Sequence, residues 1–150
     1  WFIYLSQSVD SKGSNPLDPD RKLYYAKKMF PNFAKHFRSG PKDPVAILKE
    51  LQTEGYDDAM FVVGSDRVQA MKWVKNYNGK DFFFRKLDVI SSGDRDADGD
   101  TFAISGTKMR RAAVANDFDT FRKGIPKGLN DKDTRKMMEE IQSNMPKLYK

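Results

Sequence analysis

Ile104-Ser105-Gly106-Thr107-Lys108-Met109-Arg110 places two hydroxyls, a glycine and two cations where a strand and loop run into a helix. The first N–H groups of a helix have no intrahelical partner and carry partial positive charge, so an anion is favoured in front of them. Ser105 and Thr107 can cap the helix or donate to phosphate oxygens, Gly106 lets the backbone approach closely, and Lys108 and Arg110 neutralise charge. These residues read as a triphosphate site, with an ordinary N-cap as the alternative.

Around this stretch the chain alternates strand and helix. Trp1 to Leu5 is continuously apolar, as a strand buried on both faces would be. The polar segment Ser6 to Pro19 ends in Asp18-Pro19, an N-cap and a first-turn proline. The spacing then predicts a helix from Pro19 to Phe30, with Leu23, Ala26, Lys27 and Phe30 on one side and Tyr24, Tyr25 and Met29 widening it. Phe33, His36 and Phe37 fit either a short strand or an irregular connection. Asp43-Pro44 opens a second helix with Val45, Leu48 and Leu51 inward, and Gly55 closes it. Ala59 to Val63 reads as a buried strand, and Gly64-Ser65-Asp66 as the turn into a helix that carries Val68, Met71, Trp73 and Val74. Trp73 reads as core, with stacking on a base as its other use. Phe82 to Ile90 supplies a further strand, and helices are expected at Phe118 to Lys123 and Asp131 to Ser143. Such alternation predicts an α/β fold, a parallel sheet with helices on its faces. The expected organisation is an α/β domain over 1–116 and a C-terminal helical extension, 117–150, packed on the same domain.

The 150 residues suffice for a core without covalent staples, and the absence of cysteine excludes disulfides and thiolate metal sites. No apolar run approaches the roughly 20 residues that span a bilayer, so a soluble, cytoplasmic protein is expected, with no membrane partner. A net charge of +6 and a pI near 9.4 favour a polyanionic partner. The cations are spread among many acids, and no aromatic-and-basic strand or recognition helix is legible. Nucleic acid is therefore not the expected partner.

Asn15-Pro16-Leu17 with Arg21 and Met29 in the following helix, Gly64-Ser65-Asp66 after a strand, and Ile104 to Arg110 occur in an order that resembles the nucleotidylyltransferase superfamily. The last stretch is similar to its Ile-Ser-Ser/Gly-Thr-x-x-Arg signature, and the resemblance covers roughly Trp1 to Ala115. The Asp-rich insert, the Ser105 to Arg110 helix start and the trailing helices are also similar to nucleotidylyltransferase-like proteins of large tailed phages. The resemblance implies a Rossmann-like parallel sheet, incomplete at its start, with helices on both faces and helices after it. It also implies transfer of a nucleotidyl group from ATP or CTP to a phosphorylated small molecule, with release of pyrophosphate. Arg110 and Lys108 would be the catalytic cations on the β- and γ-phosphates, with Ser105, Gly106 and Thr107 beneath them. Gly64 and Asp66 would lie beside the nucleoside or acceptor, and Arg21 and Lys12 would contact the acceptor's phosphate. Helix capping is the other use of Asp66, and plain surface exposure that of Lys12. Mg²⁺ is the implied cofactor, carried with the triphosphate and given no protein ligand by the sequence.

The family's first strand and its His-x-Gly-His loop have no counterpart in these residues. The single histidine, His36, stands in no such motif, and Trp1 to Leu5 resembles the family's second strand. Two expectations follow: a natural N-terminus longer by about a strand and a helix, or a relative that binds nucleotide or assembles without turnover. Separately, Asp94-Arg95-Asp96-Ala97-Asp98-Gly99-Asp100 resembles the first half of a calcium-binding EF-hand loop. Ser105 takes the place of the bidentate Glu at its twelfth position, so a solvated acidic loop, or a lid over the phosphates, are the readings set beside it.

Overall fold

A computed structural model describes residues 1–10, 12–93 and 104–146. Its elements in chain order are β1 (Ile3–Tyr4), α1 (Pro19–Met29), β2 (Phe37–Arg38), α2 (Pro44–Thr53), β3 (Asp58–Val63), α3 (Val68–Met71), β4 (Lys86–Ser91), α4 (Gly106–Val114), α5 (Phe118–Lys123) and α6 (Asp131–Asn144). Short polar side chains start five of the helices. Asp18, Asp43, Ser105, Asp117 and Asn130 each accept a hydrogen bond from a backbone N–H in the first turn that would otherwise lack a partner. Pro19 and Pro44 follow two of these caps, where a missing N–H costs nothing. The result is a mixed α/β chain with two small parallel sheets, β1 with β2 and β3 with β4.

The chain divides into two compact units, the first formed by residues 1–40 and 104–150 and the second by 41–103. In the first, Ile3 lies opposite Phe37 and Tyr4 opposite Arg38, with α1 and a 3-10 turn over Pro31–His36 making the crossover. Tyr25, Ala113, Phe121, Leu129 and Met138 are almost wholly buried there, joined by Leu17, Ile141 and Met145. Each large apolar side chain so buried contributes roughly 1.5–3 kcal/mol relative to exposure. Helix α4 packs against both α5 and α6, and Gln142 Nε2 donates to the Ala113 carbonyl at 2.6 Å.

Two sequence expectations change in this unit. Helix α1 turns Tyr25, with Tyr24 and Met29, into the core and leaves Phe30 exposed, rather than burying the Leu23, Ala26, Lys27 and Phe30 side. Tyr25 can be buried because its hydroxyl donates to Glu140 Oε2 at 2.6 Å, so no polar atom is stranded. The opening strand shrinks to two half-buried residues, and Trp1 stays 67% exposed. Its ring instead stacks on His36, with centroids 3.8 Å apart, and lies tilted against Phe33.

In the second unit β3 and β4 pair from Asp58 opposite Lys86 to Val63 opposite Ser91. One face of the pair, with Ala59, Phe61, Val63, Leu87 and Val89, packs against Val45, Leu48, Val74, Phe82 and Phe84. Met60 and Val62 alternate onto the other face at 58% exposure each, so β3 is half-buried, not the fully buried strand its composition predicts. The strand expected from Phe82 begins only at Lys86. Phe84 precedes it with both backbone groups held by one side chain, its N–H donating to Asn78 Oδ1 at 2.8 Å and its carbonyl accepting from Asn78 Nδ2 at 3.0 Å. Trp73 is 41% exposed and stands edge-on to Tyr77, which overturns its reading as core. The Asp94 to Asp100 loop lies outside the described residues. Among the described residues no helix is long and apolar enough to cross a membrane.

Candidate functional site

The start of α4 is built from its own first turn. Ser105 Oγ accepts from the Lys108 N–H at 3.2 Å and so serves as the N-cap. Arg110 folds back along the helix, and its Nη2 donates to Thr107 Oγ1 at 3.2 Å. A Cβ on Gly106 would stand 2.8 Å from Arg110 Nη1, so the bare glycine is what lets the guanidinium lie over the turn. A cation is thereby held at the positive end of a helix, an arrangement that an anion between the two would stabilise.

A cavity of about 530 Å³ opens beside this turn. Thr107, Arg110, Arg111 and Val114 line it from α4, at the three- and four-residue spacing that puts side chains on one helical stripe. Lys12, Gly13 and Ser14 form a second wall from the connection between β1 and α1, and Met145 contributes from the end of α6. Three cations and two hydroxyls thus face one space, and among its described lining residues none is acidic. A unit charge pair about 4 Å apart gains about 1 kcal/mol in water and about 4 kcal/mol at the lower effective dielectric of a protein surface. An anion in this cavity would meet three such charges at once.

Lys12, Thr107 and Arg110, all singled out by the sequence, come together here, Lys12 from a part of the chain distant from the other two. Ser105 and Gly106 shape the turn without lining the cavity, and Lys108, on the same turn, is outside its lining as well. Arg21 is engaged elsewhere in the unit: its Nη2 lies 2.8 Å from Glu140 Oε1 and 3.2 Å from the Tyr25 hydroxyl, and its guanidinium covers the Tyr24 ring. The Glu140 and Tyr25 hydrogen bonds raise the Arg21 pKa above its ordinary value. Gly64 and Asp66 belong to the second unit, where Gly64 ends β3 and Asp66 sits in the exposed 3-10 turn Ser65–Arg67. His36 Nδ1 is 2.8 Å from the Trp1 carbonyl oxygen and its ring is covered by the indole.

Arg111 and Ser14 line the cavity without having been singled out. The signal for Arg111 was its place four residues after Thr107, and for Ser14 its place two residues after Lys12. Among the described residues no group of three His, Asp or Glu side chains could hold a metal ion. Searches against protein-family models, curated proteins and solved structures find no significant match to the chain.

Proposed function

We propose that the chain is a nucleotidylyltransferase-like protein whose Lys12, Thr107, Arg110 and Arg111 receive the triphosphate of ATP or CTP. The observation that carries this reading is the cavity itself, where three cations and two hydroxyls from separate parts of the sequence converge with no carboxylate among the described lining residues. In the reaction, an oxygen of a phosphorylated acceptor attacks the α-phosphorus while the bond to the β-phosphate oxygen breaks, and pyrophosphate carries away the electron pair. The protein's share is positioning and stabilisation of the charge that gathers on the leaving pyrophosphate. Arg110 and Arg111 would hold that charge from α4 and Lys12 from the opposite wall, with Lys108 beside the same turn. Among the described lining residues there is no carboxylate for Mg²⁺, which would arrive on the phosphates of the nucleotide.

The strand pairing supports the Rossmann-like part of the proposal. In a doubly wound sheet of order 3-2-1-4-5, strand 2 pairs with 3 and strand 4 with 5. The pairings β1 with β2 and β3 with β4 join consecutive parallel strands, as those two pairs do. A second reading, a nucleotide-binding or assembly module without turnover, would use the same cavity.

The test is a screen of ATP and CTP with phosphorylated acceptors for pyrophosphate release by the protein in its full natural length, beside a calorimetric titration of the same nucleotides. Release of pyrophosphate that Arg110→Ala abolishes supports the transferase. Nucleotide binding without release supports the module. Arg110→Ala should weaken triphosphate binding by about tenfold to a hundredfold, the loss expected for hydrogen bonds to a charged group. Unchanged affinity in that variant would sink the assignment of the cavity.

A further inference from the structure

The connection that carries Lys12, Gly13 and Ser14 to the cavity is organised by two half-buried residues of opposite charge, Asp10 and Lys22. Asp10 Oδ1 accepts from the Lys12 N–H and the Ser14 N–H, each at 3.0 Å, so the carboxylate gathers the donors of the residues that face the cavity. Lys22, on the first turns of α1, gathers the acceptors of the same connection. Its Nζ donates to the Ser6 carbonyl at 3.2 Å, to the Ser8 carbonyl at 2.7 Å and to Asn15 Oδ1 at 3.4 Å. Asn15 joins the two centres, because its Nδ2 donates to Asp10 Oδ2 at 2.8 Å while its Oδ1 faces the ammonium.

We propose that Asp10, Asn15 and Lys22 are positioning residues, a clip that fixes the Lys12–Ser14 backbone so that the Lys12 side chain and the Ser14 hydroxyl face α4. Backbone N–H and C=O groups in a connection without secondary structure need partners, and here one carboxylate and one ammonium supply them from opposite sides. Tying the segment at residues 12 and 14 leaves Gly13 between them, and Gly13 is buried with its φ at +84° under Met145 and Pro146. The charge states agree with the geometry. The Asn15 amide, followed by the loop N–H groups, holds the Asp10 carboxylate below its ordinary value, and burial pushes the Lys22 ammonium down while Asp10 and Asp18 draw it up. None of the three residues lines the cavity, so they act through the backbone they hold. Their role in ligand binding rests on the function proposed above; their role in holding the backbone does not.

Two measurements on the protein test this. Amide hydrogen exchange at residues 12 and 14, read by NMR in the unliganded protein, should accelerate about tenfold or more in Asp10→Ala and in Lys22→Met. Asp10→Asn, which keeps an oxygen at the Oδ1 position, should retain most of the protection, a rescue that loss of general stability would not give. Inorganic triphosphate, titrated calorimetrically into the same variants, should bind more weakly in the order of the lost protection. Unchanged exchange in Lys22→Met and Asp10→Ala overturns the clip. Faster exchange with undiminished triphosphate affinity overturns its positioning role. A wild-type protein that binds no triphosphate overturns the proposed function instead, and the exchange measurement then still decides the clip.

Discussion

Gly13 shows how one backbone position couples the cavity to the core. Its φ of +84° lies in the left-handed region, and a Cβ there would stand 3.0 Å from both Met145 Cε and Pro146 Cδ. Gly13→Ala therefore meets two obstacles, a strained backbone and a neighbour that must move, and should lower stability by about 1–3 kcal/mol. Thermal unfolding would show the loss, and a variant as stable as the wild type would mean that the turn is not held as described. Thr107 and Arg110 were legible in the sequence because hydroxyls and cations near a helix start carry their chemistry on their faces, while Lys12 entered only through the resemblance, as a contact to the acceptor's phosphate. Arg111 was not, since a second cation on a helix is an ordinary surface residue until its i, i+4 relation to Thr107 is seen to face a cavity. The partners of Arg21 were equally hidden: Glu140 lies 119 residues away in sequence, and no local pattern announces it.

Among the elements, α1 and α6 are joined by the Tyr25 hydroxyl, which donates to Glu140 while Arg21 spans both residues. Tyr25→Phe keeps the ring in the core and removes both that bond and the one the hydroxyl accepts from Arg21, so it should cost about 1–3 kcal/mol in chemical denaturation. The same hydroxyl sets an alkaline limit. Burial, and after it the Glu140 carboxylate, raises its pKa above the ordinary 10.0. The unfolded chain therefore releases this proton first, and stability that is complete below pH 10 falls as the pH rises beyond it. Tyr25→Phe should lack that component of the alkaline decline; a decline identical in both proteins would refute the account. The starts of α1, α2 and α4 were legible, because Asp18-Pro19, Asp43-Pro44 and Ser105 are local signals read by local N–H groups, whereas the helix expected to reach Asn78 ends at Met71 and continues as a 3-10 turn. Strand burial was not, because the apolar run Ala59 to Val63 is what a two-sided parallel strand would show. In the structure only alternate residues are covered, leaving Met60, Val62 and Ile90 outside.

At the scale of the whole molecule, the net charge of +6 and the cavity give different accounts of how a polyanion would be held. Part of the basic charge is already paired within each unit, as in Lys28–Asp133 and Arg122–Asp131 in the first and Lys49–Asp81 and Arg85–Asp58 in the second. Lys12, Arg110 and Arg111 make no ion pair with a described carboxylate and face the same space. A general positive field would respond alike to removal of any exposed cation, whereas a site responds to its own. Raising the ionic strength from about 0.05 M to about 0.5 M shrinks the screening length to well under 10 Å, and triphosphate affinity should fall at least about tenfold. Arg111→Gln should lower both the affinity and its dependence on salt, while Lys132→Gln on the exposed side of α6 should change neither by more than about twofold. Equal losses in the two variants would assign the binding to net charge and remove the reason for treating Thr107, Arg110 and Arg111 as one wall of a site.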